Sequence, residues 1–196
     1  MPGRFRRWFL DTILGRTKPV APNLDALFAL PSAAVTLQAA IDLQPTGSGS
    51  ACFRAAEGRA FSDIEKDVRA LLDMGSGKLP VEVSSDSYGF TWLVCHHTAD
   101  DVEGLVTDLH AVNSSLEQGG FGPLLLCTLV GFRNPAGRRL GLVYLYKRGT
   151  FYPFAPLGGE RRDSALEMQV RGALGDDLKI EPDLGRWFPV WGAPGL

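Results

Sequence analysis

Residues 124–146 read LLLCTLVGFRNPAGRRLGLVYLY, and this stretch decides the class of fold. Leu124–Phe132 is apolar at almost every position, the pattern of a central strand buried on both faces. Asn134-Pro135-Ala136-Gly137 supplies turn chemistry, and Leu140–Tyr146 reads as the returning strand. Lys147-Arg148-Gly149-Thr150 then turns the chain into a third strand, Phe151–Phe154. Strands joined this tightly pair antiparallel.

Outward from this stretch the pattern alternates between helix and hairpin. Upstream, residues 100–118 place Val102, Leu105, Val106, Leu109, Val112 and Leu116 on one helical face, and Gly119-Gly120 ends the run. Val81–Ser85 and Phe90–His96 form a hairpin around Asp86-Ser87-Tyr88-Gly89. Ser62-Asp63-Ile64-Glu65 is a capping-box pattern that opens another helix, closed by Gly75. PTGSGS, residues 45–50, reads as a loop before a short strand at 51–56. Val35, Leu37, Ala39, Ile41 and Leu43 alternate with period two and predict a half-buried strand. Before it, NLDALFALP predicts a short helix capped by Asn23 and stopped at Pro31. Downstream, Ser164-Ala165-Leu166-Glu167 is a second capping box, opening a last helix that Gly175 closes. The sum is an α+β fold: a mostly antiparallel sheet built from hairpins, with three or four packed helices, in a single domain. Its expected extent is residues 23–196, with residues 1–22 as a basic amphipathic arm and a Pro-containing linker.

Composition narrows the function classes. The chain has 196 residues, is 45% hydrophobic, and carries a formal net charge of -2, so it is no globally basic nucleic-acid binder. Cys52, Cys95 and Cys127 are too few for a disulfide framework and contain no C-x-x-C pair, as expected for a reduced, cytoplasmic chain. The longest apolar stretches, such as Pro123–Phe132, are about 10 residues, where a spanning helix needs about 20. No apolar region follows the basic N-terminus in the manner of a secretory signal.

Motifs that carry chemistry occur only as fragments. Gly75-Ser76-Gly77-Lys78 resembles half a phosphate loop, but Leu72 and Leu79 stand where the pattern needs Gly and a hydroxyl. Gly47-Ser48-Gly49-Ser50 misses the spacing of a nucleophile elbow. The pairs Asp100-Asp101 and Asp176-Asp177 sit at helix boundaries, where solvation and the helix dipole account for them. Cys95 and His97 point the same way on a strand and form the alternative reading, a small-ligand or metal site, beside which stands an enzyme whose site only the fold assembles. Against it stands the plain arrangement, with Cys95 packed inside and the histidines at the strand end. No catalytic residue, cofactor or metal emerges from the pattern.

Charge placement is more informative. Residues 1–18 carry five basic groups against Asp11 alone, leaving 15 basic and 21 acidic groups for the rest of the chain. Within this arm Phe5, Trp8, Phe9 and Ile13 share a helical stripe, and Arg6 and Arg7, with Arg4 nearby, lie beside it. About ten residues is too short for a stable isolated helix, so the arm needs a surface to bury its aromatic face. An anionic membrane meets that need, as does a protein groove. At the other end, DLGRWFPVWGAPGL holds Trp187, Phe188 and Trp191 among prolines. These rings belong either to a strap over the chain's own sheet or to an anchor for a partner.

The strings FLDTILGRTKP, NLDALFALPSAAVTLQ, Tyr88-Gly89-Phe90-Thr91-Trp92, VYLYKRGTFYPFAP and RWFPVWGAPGL carry a resemblance to the PspAB family, actinobacterial and archaeal proteins associated with phage shock protein A. They run from residue 9 to 196, and none is a chemical motif. What the resemblance implies is an accessory role beside phage shock protein A, a helical membrane-remodelling protein of the envelope-stress response. The partner it implies is phage shock protein A itself; the cysteine usage and the basic arm give the expected location, cytoplasmic with optional peripheral attachment at the inner face of the cell membrane.

Overall fold

The computed structural model describes residues 23–54, 62–63, 66–68, 70, 81–86 and 88–196. A 3-10 turn, Leu24–Ala29, runs into helix α1, Leu30–Ile41. Strand β1, Gln44–Arg54, follows; β2, Glu82–Ser85, and β3, Phe90–His96, form the first hairpin. Helix α2, Val102–Leu116, leads to β4, Leu125–Arg133, β5, Arg139–Leu145, and β6, Thr150–Phe154. A small hairpin, β7, Pro156–Leu157, and β8, Arg161–Arg162, precedes helix α3, Ser164–Ala173. Residues 62, 63, 66–68 and 70 are also helical.

The six long strands lie in the order β2-β3-β1-β4-β5-β6, each antiparallel to its neighbours. Because β1 is antiparallel to both β3 and β4, those two run parallel to each other. Helix α2 joins them across β1, a split β-α-β crossover. The α+β class and hairpin-built antiparallel sheet read from the sequence are the ones observed.

Both faces of the sheet are covered, which is why β4 is buried at every position from Leu125 to Phe132. On one face Leu93, Cys95, Val130, Leu142 and Tyr144 pack under Leu30, Leu37, Leu105, Leu109 and Val170 of the helices. On the other, Cys52, Trp92, Leu129, Val143 and Tyr152 pack under Trp187, Phe188, Val190 and Ala193 of the C-terminal strap. Gly131 permits the strap's passage, since a Cβ there would collide with the Gly195 carbonyl.

Three local expectations are corrected. The strand predicted over 35–43 is helix α1, and Pro31 starts that helix rather than ending the previous one. In the first turn a proline's missing N–H costs no hydrogen bond. Burial follows the helical spacing Leu30, Ala33, Ala34, Leu37 and leaves Val35 70% exposed, so the period-two alternation is not used. Asp42 closes the helix in the left-handed region at φ 55, its amide bonding to Gln38 O. Second, PTGSGS is the first half of β1 rather than a loop. Its Gly49 lets α2 approach, because a Cβ there would lie 2.8 Å from Leu109 Cδ1 and 3.1 Å from Leu129 O. Third, Asp163 and not Ser164 caps α3, accepting from the Leu166 amide at 3.0 Å. Glu167, the expected capping-box partner, is buried and instead accepts from Ala155 N and Arg162 Nε, both at 2.9 Å.

The run Leu24–Ile41 spans 18 helical residues with mean hydropathy 1.5, long and apolar enough by length and composition to cross a membrane. The sequence reading, with its break at Pro31, missed this. In the fold its inner face is part of the helix-side core, where Leu27, Leu30, Ala33 and Leu37 are almost wholly enclosed.

Candidate functional site

The arm residues Arg4, Phe5, Arg6, Arg7, Trp8, Phe9 and Ile13 lie outside the described residues, as does the half phosphate loop at 75–78. The three C-terminal rings are described. Trp187 and Phe188 are buried in the chain's own second core, and Trp191 is half-buried, edge-on to Phe154 at 4.9 Å between ring centroids. Trp187 donates from Nε1 to Glu181 O at 2.9 Å, and Tyr152 donates its hydroxyl to Phe188 O at 2.9 Å. These bonds fix the strap to the sheet it covers.

Glu181 is the strap's other fastening. Its carboxylate is fully enclosed and accepts from Arg148 Nε at 2.7 Å, Thr150 Oγ1 at 2.8 Å and Asp183 N at 3.2 Å. Burial pushes its pKa up, but the hydrogen bonds from Arg148, Thr150 and the Asp183 amide, with the charge of Arg148, outweigh that and hold it below the ordinary glutamate value. The carboxylate is therefore kept charged as a structural clasp.

At the end of β3, Cys95 and His97 do not assemble a metal site. Cys95 is buried among the helix-side residues. His97 Nδ1 lies 2.6 Å from Asp101 Oδ2, and its Nε2 lies 2.8 Å from Asp108 Oδ2. Both ring nitrogens lie within hydrogen-bond distance of a carboxylate oxygen. Asp101 also accepts from Gly104 N at 2.9 Å as the N-cap of α2. His97 thus bolts the end of β3 to the first two turns of α2. Among the described residues, no group of three His, Cys, Asp or Glu side chains is placed to hold a metal ion.

Among the described residues, the buried thiol and phenols are shifted toward their neutral forms, and burial with the nearby charge of Arg54 lowers the half-buried Lys147. Burial pushes the Cys52 thiol well above its usual value, with Cys127 opposite it on β4 adding to the shift. Burial likewise raises Tyr152, and raises Tyr144 to about 12 despite its hydrogen bond to Asn23 O. These are the signatures of neutral groups held in a core.

What the folded body does offer is a surface. From Ala26 to Ile41 no residue is charged, and the outer face of this helical unit exposes Phe28, Ser32, Val35, Gln38 and Ala39. Beside it lies a groove of about 380 Å³. Pro31, Ala34 and Val35 line one wall, and Asp100, Asp101 and Glu103, at the start of α2, line the other. The groove thus sets apolar side chains beside three carboxylates.

Comparison with known proteins turns on one match: the family model of PspAB, PspA associated protein B, aligns with residues 7–195. The chain belongs to the PspAB family. No curated protein and no solved structure matches it. The family strings map onto scaffold and surface alike. NLDALFALPSAAVTLQ is the 3-10 turn and α1, VYLYKRGTFYPFAP is the β5–β6 hairpin running into β7, and RWFPVWGAPGL is the strap. In this PspAB chain the outer face of α1 is the feature that sequence reading missed. Its legible signal was the 16-residue absence of charge between Asp25 and Asp42, which the expected break at Pro31 concealed.

Proposed function

We propose that this chain is a non-enzymatic accessory protein acting with phage shock protein A through protein contacts. Its basic arm supplies a peripheral contact with anionic membrane at the cytoplasmic face. The observation that carries this reading is the family match over residues 7–195, which takes in part of the arm and nearly all of the strap. The chemistry of the body agrees: its buried carboxylates, imidazole and thiols are committed to packing and internal hydrogen bonds. In the arm, Phe5, Trp8 and Phe9 would enter the lipid interface while Arg4, Arg6 and Arg7 meet phosphates. Such a protein serves the envelope-stress response by holding phage shock protein A near, or away from, the bilayer.

Pull-down of purified phage shock protein A by the full chain tests the first half; an absence of direct capture at micromolar concentrations removes it. Flotation on phosphatidylglycerol vesicles tests the second. The full chain should float, and an R4E/R6E/R7E variant should not.

A further inference from the structure

We propose that the groove between α1 and the start of α2 is the docking site for this chain's own residues 4–13, RFRRWFLDTI. The groove needs an occupant that is apolar on one side and cationic on the other. Its apolar wall is Pro31, Ala34 and Val35, and Val35 is 70% exposed on the outer face of α1. Its acidic wall holds Asp100 and Glu103, both exposed, beside the capping Asp101. Neither Asp100 nor Glu103 has a cationic partner among the described residues. Segment 4–13 matches both demands, with Phe5, Trp8, Phe9 and Ile13 in one helical stripe and Arg4, Arg6 and Arg7 beside it. The match holds in bulk as well, because a cationic arm is joined to an anionic body.

Reach permits it. Nine residues lie between Ile13 and Asn23, and the ten Cα steps span up to about 33 Å when extended. The groove's helical wall, Pro31–Gln38, runs only about 10 Å along α1 at 1.5 Å per residue, and it begins two residues past the end of the 3-10 segment that Asn23 opens. A ten-residue amphipathic segment gains order only by burying its apolar stripe, and this is a charge-free face with room for one.

Docking would occupy the same rings that the membrane reading places in lipid, so the two states exclude each other. The groove then sets how much of the arm is available to a bilayer. That consequence rests on the membrane reading, whereas the docking itself does not.

Photocross-linking in the full chain tests the docking. With Val35→p-benzoylphenylalanine, irradiation of the monomer should join position 35 to a residue within 4–13, read by mass spectrometry. Gln38→p-benzoylphenylalanine, on the same exposed face, provides a second probe. The yield should fall about fivefold in a D100K/E103K background, and again as salt is raised, because the charges involved are solvent-exposed. Cross-links found only elsewhere, only between two chains, or undiminished by the charge reversal would overturn the proposal. Vesicle flotation keeps the two readings apart. If both hold, D100K/E103K floats more completely than the parent chain; a chain that cross-links to its arm yet never floats retains the docking and loses the membrane reading.

Discussion

His97 Nε2 lies 2.8 Å from Asp108 Oδ2, joining the last residues of a strand to the second turn of the helix that follows it. Both side chains are about nine-tenths enclosed. With Asp101 on its other nitrogen, the His97 ring ties the β3 end to both the cap and the body of α2. Removing one partner of a buried hydrogen-bonded contact leaves the other desolvated with less compensation. His97→Ala should therefore cost about 2–4 kcal/mol in urea denaturation. His96→Ala, whose ring is half-exposed and only 3.7 Å from an exposed Glu82, should change stability by less than about 1 kcal/mol.

Glu181 predicts an acid limb. Its carboxyl titrates below the ordinary glutamate value in the fold and near about 4.3 in the unfolded chain. A depressed carboxylate adds stability above the unfolded value and loses it as pH falls through the folded one. Asp163, lowered by the Leu166 amide and by Arg138, has the same sign. Urea midpoints should fall as pH drops below about 4.3. In Glu181→Gln, less stable near neutrality, that fall should be shallower; an equally steep fall places the acid limb elsewhere.

The strap should behave as core. Trp187 is 4% exposed, bonds to Glu181 O and lies beside Tyr152 at 6.2 Å between ring centroids. Trp187→Ala should cost about 3–5 kcal/mol, and amide exchange should accelerate first over residues 187–196. Val35→Ala, on the open face of α1, should stay within about 0.5 kcal/mol.

Two glycines should answer alanine with opposite signs. Gly49→Ala forces a methyl against Leu109 Cδ1 and the Leu129 carbonyl and should destabilise by about 1–3 kcal/mol. Gly172 lies in α3 with open space around its missing Cβ, so Gly172→Ala should stabilise by about 0.5–1 kcal/mol. Thermal melts of both variants check this pair.

Much of the candidate surface was hidden at the sequence level by one misassigned residue. Pro31 reads locally as a helix stop, and once the helix is stopped there, Val35–Leu43 falls into alternation. The groove wall then vanishes, because Ala34 and Val35 no longer belong to a helix. The acidic wall was visible as Asp100-Asp101 at a helix start, but nothing in the spacing says which element lies opposite. His97 was legible as a strand-end histidine, whereas its carboxylates, four and eleven residues on, face it only once α2 has docked.

By itself the sequence determined the hairpins at 81–96 and 124–154 and the helix within 100–118, because turn chemistry and apolar period are properties of neighbouring residues. It also placed the charge, an arm of one sign on a body of the other. Only the tertiary structure decided that residues 30–41 are a helix, that PTGSGS enters the sheet beneath α2, and that Trp187 and Phe188 close the chain's own core. In those segments helix and strand, or strap and anchor, differ little in local free energy. The choice is made by which side chains find burial against residues a hundred positions away.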